Sequence, residues 1–109
     1  MSASAEFVSH VRELLAPIGP LGGGRFFGGH AIKHHGNQFA MVMGNTLYLR
    51  VSEGALPEFE KRGCQPFSYS TKNGTVQVRK YYAAPEELLD DPRELVSWAR
   101  HAIHAAQES

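Results

Sequence analysis

Three short segments constrain this chain more than any other feature: Arg25-Phe26-Phe27-Gly28-Gly29, Phe39-Ala40-Met41-Val42 and Leu47-Tyr48-Leu49-Arg50-Val51, separated by glycine-bearing turns. Aromatic and β-branched residues suit a pleated, half-buried surface, and glycine supplies the backbone that a tight reversal needs. The spacing predicts strands at about 25–33, 38–43 and 46–51, folded as an antiparallel meander. Alternation along the second strand places Phe39, Met41 and Met43 on one face and Ala40 and Val42 on the other. On the third, Leu47, Leu49 and Val51 oppose Tyr48 and Arg50. The turns read His34-His35-Gly36-Asn37 and Gly44-Asn45.

Helices flank this meander. Phe7, Val11, Leu14 and Leu15 recur at helical spacing between Ser4, a predicted N-cap, and Ala16. Pro17, Gly19 and Pro20 end that helix, and Gly22-Gly23-Gly24 reads as a flexible connector. A short helix over 55–62 is predicted to be capped by Ser52 and closed by Gly63, with Leu56 and Phe59 turned inward. A second hairpin pairs 66–71 with 75–82 through Asn73-Gly74, Val76 and Val78 facing the core and Gln77 and Arg79 the water. Pro85-Glu86-Glu87 opens the last helical segment, and Asp91-Pro92-Arg93-Glu94 restarts it as a capping box. Leu95, Trp98, Ala99, Ala102, Ile103 and Ala106 form its apolar stripe. The result is an α+β single domain over 1–109, in the order α-β-β-β-α-β-β-α, with an antiparallel sheet packed on helices.

Charge bounds the function. Eleven basic and eleven acidic side chains leave no net charge with the histidines neutral, so long-range attraction to phosphate backbones is weak and direct nucleic-acid binding is disfavoured. The single Cys64 forms no intramolecular disulfide, the first residues lack the apolar core of a signal peptide, and no run approaches the roughly 20 apolar residues of a membrane span. A cytoplasmic location without membrane association is expected.

No catalytic constellation stands out, and neither enzymatic activity nor a cofactor is expected. His30, His34 and His35 are the only cluster with metal-ligand character, and zinc needs three or four ligands converging on one point. Cys64 between Gly63 and Gln65 lacks the surroundings of a thiol nucleophile. Gly22-Gly23-Gly24 and Gly28-Gly29 lead into a strand, whereas a phosphate cradle opens into a helix, so they read as a bulge or a close backbone approach. Arg25, Arg50 and Arg79 with Tyr48 form the expected partner-binding surface, because arginine and aromatic side chains combine contact area with hydrogen bonding. Exposed strands make a homodimer the expected oligomer.

Several of these segments together resemble the N-terminal domain of the TfoX/Sxy family of competence regulators: Leu14-Leu15-Ala16-Pro17 leading to Gly19, the Arg25 to Gly29 segment, Phe39-Ala40, the Leu47 to Val51 segment, Pro66-Phe67-Ser68-Tyr69, Tyr81, Pro85 and the Asp91 to Ala99 helix start. The resemblance implies an α+β fold similar to that of secretion chaperones. It also implies a regulatory role in DNA uptake and transcription, exerted through a protein partner and in concert with the cyclic-AMP receptor protein. Departures are His30 where an aromatic residue is common, and turns at His34-His35-Gly36-Asn37 and Gly44-Asn45-Thr46 where acidic residues are common. Two further readings stand beside protein binding: a small-ligand or metal site at His30, His34 and His35, and weak direct DNA binding.

Overall fold

In the computed structural model, which describes residues 4–108, helix α1 (Ala5–Leu14) precedes strands β1 (Gly22–Phe26), β2 (Gly29–His34), β3 (Asn37–Met43) and β4 (Thr46–Arg50). Helix α2 (Leu56–Lys61), strands β5 (Pro66–Thr71) and β6 (Gly74–Ala83) and helix α3 (Pro92–Glu108) complete the chain, with 3-10 turns at Ala16–Ile18, Glu53–Ala55 and Glu86–Asp90. The strands form one antiparallel sheet in the order β1-β2-β3-β4-β6-β5. The α+β class and the helix-backed antiparallel sheet agree with the sequence reading, with one strand more than expected. Among the described residues no helix is long and apolar enough to cross a membrane.

The additional strand comes from the glycines. Phe27 and Gly28 both take positive φ (47° and 82°), the signature of a two-residue primed turn, so the predicted 25–33 strand is a hairpin folded at its own third residue. Gly22-Gly23-Gly24, expected as a connector, is the outer strand of that hairpin. The reason is local: a Cβ on Gly23 would overlap the Ala31 carbonyl across the pair, so only glycine allows β1 to lie this close to β2. Arg12 fastens α1 to the same strand, its guanidinium donating to the carbonyls of Leu21 (2.6 Å) and Gly22 (3.3 Å).

A β-bulge redistributes the faces of β3. Ile32 pairs with Ala40 but Lys33 with Gln38, so Phe39 has no partner across the ladder. The extra residue turns Phe39 to the side of Ala40 and Val42, where all three are fully buried, while Met41 and Met43 face the other way. The expected grouping of Phe39 with the two methionines is thus corrected. β4 follows the alternation, with Leu47 and Leu49 in the main core and Tyr48 on the opposite face.

The helices cover one face only. Leu95, Ala99, Ala102, Ile103 and Ala106 of α3 pack over β3 and β4, and the small alanines let the helix axis come close. Val11 and Leu15 of the α1 region and Phe59 of α2 close the same core. The caps read from sequence are present at Ser4, whose Oγ accepts from the Phe7 amide at 3.1 Å, and at Asp91, whose Oδ1 accepts from the Glu94 amide at 3.3 Å. Two expected caps differ. Glu94 accepts from Trp98 Nε1 at 3.2 Å, one helical turn on, rather than reaching back to Asp91. At Ser52 the backbone carbonyl, not the hydroxyl, accepts from the amides of Ala55 and Leu56.

Candidate partner-binding face

The uncovered face of the sheet carries its own apolar layer. Met41, Met43 and Tyr81 are buried there, flanked by half-buried Phe26, Tyr48, Phe67 and Val78. The Tyr48 and Phe67 rings meet edge to face at 5.2 Å, and Phe67 lies 6.2 Å from Tyr69. The Arg50 guanidinium sits 5.6 Å over the Tyr81 ring, and the Tyr81 hydroxyl donates to the Gln38 carbonyl at 3.3 Å. Burial raises the Tyr48 pKa, so its hydroxyl stays a neutral donor at physiological pH.

Three large apolar side chains stand open on or beside this layer: Phe27 at 85%, Tyr69 at 48% and Val76 at 38% exposure. Tyr69 and Val76 are direct cross-strand partners, which corrects the expectation that Val76 faces the core. Val78 pairs with Phe67 and joins the outer layer rather than the helix-covered one. Phe27 is the more telling residue. A bulky side chain at positive φ strains the backbone, and here the ring contacts the Phe26 ring edge-on at 4.7 Å while remaining almost wholly in water. Asn-Gly would fit the same turn without that strain, so the fold itself does not call for phenylalanine here. Sequence reasoning missed Phe27 because Phe-Phe reads as strand; the neighbouring Gly28-Gly29 was the available signal of a turn.

Charge on this architecture is segregated. None of the six strands contains Asp or Glu, and the strands with their hairpin turns hold six cations: Arg25, Lys33, Arg50, Lys72, Arg79 and Lys80. All eleven carboxylate side chains lie on the helices, their 3-10 turns and connectors, alongside the other five cations. Net neutrality therefore conceals a basic sheet backed by an acidic helical layer.

The four residues predicted as the partner surface are not all brought together. Tyr48 and Arg50 share the outer face. Arg79 is exposed at the root of the β5–β6 hairpin, where the register shifts, with Nη2 donating to Gln77 Oε1 at 3.4 Å. Arg25 is elsewhere. It pairs with His30, and both line a groove of about 1260 Å³ between α1 and the β1–β2 hairpin, shared with Ser9, Arg12 and Glu13. Moving the turn to Phe27-Gly28 fixed the face of Arg25 on the helix side.

The three histidines are not drawn together on one point. Among the described residues no group of three His, Cys, Asp or Glu side chains is placed to hold an ion. His34 and His35 stack edge-on at 4.2 Å, but His35 sits in a turn at φ 50°, and His30 lies four strand residues back, roughly 13 Å along the chain. Burial, then the nearby Arg12 charge, lowers the His30 pKa; burial, then His35 and Arg100, lowers that of His34. Both conditions favour neutral imidazoles. Cys64, half-buried beside Arg62 and Glu87, has its thiol pKa raised mainly by burial, which favours the protonated thiol.

A family model described as the TfoX N-terminal domain matches residues 13–106, which takes in every strand, α2 and most of α3. No curated protein matches the chain.

Proposed function

We propose a function from the premise that the chain belongs to the TfoX N-terminal domain family: it is a non-enzymatic regulatory module, linked to competence or transcription control, that binds a protein partner through the outer face of its sheet. The observation that carries this reading is the face itself, where an aromatic layer ends in open Phe27, Tyr69 and Val76 and no strand contributes a carboxylate. Apolar anchors within a basic surround suit a partner segment that is acidic around its own apolar residues, since complementary charge speeds encounter and fixes orientation. Tyr48 and Arg50 lie in that face, and Arg79 is exposed at the root of the β5–β6 hairpin beside it.

The test is Arg50→Glu combined with Arg79→Glu, with affinity for a partner recovered from the native host measured at two salt concentrations. Binding should weaken at least about tenfold with an unchanged circular dichroism spectrum, and the salt dependence should shrink. Equal affinity in the double variant removes the outer face from the reading.

The segregation of charge also favours a second reading, direct binding of nucleic acid, because phosphates and bases would meet the Arg50 guanidinium and the rings on the same face. A gel-shift series separates the two: nucleic-acid binding weakens steeply and log-linearly with salt in the absence of any protein partner.

A further inference from the structure

The β5–β6 hairpin pairs with the rest of the sheet only at its root. β4 pairs with β6 at Tyr81, Tyr82 and Ala83, and the register shifts between Pro66 and Phe67. Beyond that shift, Phe67–Thr71 and Gly74–Val78 pair only with each other, as a two-stranded ribbon with β5 at the sheet's end. An isolated two-stranded ribbon is marginally stable in water. Exposed terminal strands are ordinarily guarded by charged side chains, an internal proline or a bulge. Such guards sit only at the ends of β5, as Pro66 with its register shift and Lys72 in the turn; between Phe67 and Thr71 and between Thr75 and Val78 there is no charged residue and no proline, and Tyr69 and Val76 stay open to solvent.

We infer that β5 is a self-association strand: it pairs edge to edge with β5 of a second copy of this chain, continuing the sheet through the ribbon. The charge pattern selects this occupant. A partner of either charge would be read by countercharges along the edge, and the edge has none, whereas two identical uncharged strands meet without repulsion. An antiparallel pair about a two-fold axis normal to the sheet sets Phe67 and Tyr69 of each copy on one continuous face, which shields rings that a single ribbon leaves wet. The opposite edge, β1, offers no equivalent, since three of its five residues are glycine and Arg12 of α1 holds the chain leading into it.

The experiment is sedimentation equilibrium of the full chain from about 1 to about 100 μM, the range in which a modest strand-pairing interface associates. The expected result is a reversible monomer–dimer equilibrium whose dissociation constant rises at least about tenfold in Tyr69→Lys, which places like charges across the pair, and not in the β1 variant Arg25→Gln. Hydrogen exchange on the unmodified chain supplies a readout independent of any variant: β5 amides gain protection as concentration rises and β1 amides do not. A chain that stays monomeric across the range overturns the inference. So does a dimer that withstands Tyr69→Lys, or one whose added protection falls outside β5. Arg50→Glu with Arg79→Glu leaves this equilibrium in place, so failure of the dimer and failure of the partner-binding face are distinguishable.

Discussion

Replacing Phe27 by Asn tests whether this residue serves the fold or something outside it. At φ 47° the left-handed backbone costs a bulky L-residue about 1–2 kcal/mol, and Asn is one of the few residues that relieves most of this. Against that relief stands the loss of what the ring covers. With the residue 85% exposed, only about 30 Å² of aromatic surface is removed from water, about 0.8 kcal/mol at about 25 cal/mol/Å², largely the same contact as the edge-on meeting with Phe26. The two terms offset to within about 1 kcal/mol, so Phe27→Asn should unfold at the same urea midpoint as the unmodified chain or slightly above it. The single tryptophan, Trp98, packs at 4.8 Å against Phe59 on the far side of the sheet and reports unfolding without sensing the turn. In the same assay Phe39→Ala, at a fully buried position, should cost about 3–5 kcal/mol. Partner binding should fall in Phe27→Asn despite its intact stability. A loss of more than about 2 kcal/mol on Phe27→Asn would refute the reasoning, because it would make the ring a structural residue.

Three further outcomes are expected. Gly29→Ala should destabilise by about 2 kcal/mol or more in urea titration, because the new Cβ meets the Val42 carbonyl as well as the Met43 sulfur, and the backbone of a central strand cannot yield as a side chain can. Stability should fall as pH drops below the ordinary histidine value of 6.5: His30 and His34 have lowered folded pKa values, so the unfolded chain binds more protons there, the full contribution is present above 6.5, and it is lost toward the folded values. Urea midpoints across that range in His30→Gln with His34→Gln should be flatter with pH than in the unmodified chain. Cys64 should react with iodoacetamide more slowly in the folded than in the urea-unfolded chain at neutral pH, and equal rates would contradict its raised pKa.

What the sequence discloses and what it withholds divide along one physical line. Ser4 and Asp91 are legible as caps because a cap is satisfied within three residues, and the stripe from Leu95 to Ala106 is legible because a helix repeats its own period. Gly22-Gly23-Gly24 is illegible as a strand, because its fitness for that role is decided by the Ala31 carbonyl on another strand. Phe39 is illegible as a helix-side residue for the same reason: a bulge is a property of the pairing between β2 and β3, not of either strand alone. The site follows suit. Tyr48 and Arg50 share the face that alternation gives them, while Arg25 and Val76 go to the wrong face because a displaced turn and a shifted register each reassign the faces of the strand beside them.

The same distinction governs charge. A zero sum argues against an electrostatic partner only if the signs are mixed in space, and over a Debye length of about 8–10 Å a surface responds to its own charges rather than to the total. Here the strands contribute cations alone and the helical layer all the carboxylates, so the outer face, which bears Arg50 and no strand carboxylate, is locally basic despite neutrality. Edge pairing through β5 is compatible with that field because it brings two outer faces side by side rather than against each other, and the strand at the seam carries no charge of its own. A face-to-face dimer would instead press two carboxylate-free, cationic surfaces together, which like-charge repulsion opposes. Edge pairing through β5 thus leaves the aromatic face available to a partner while bringing no like charges together at the seam.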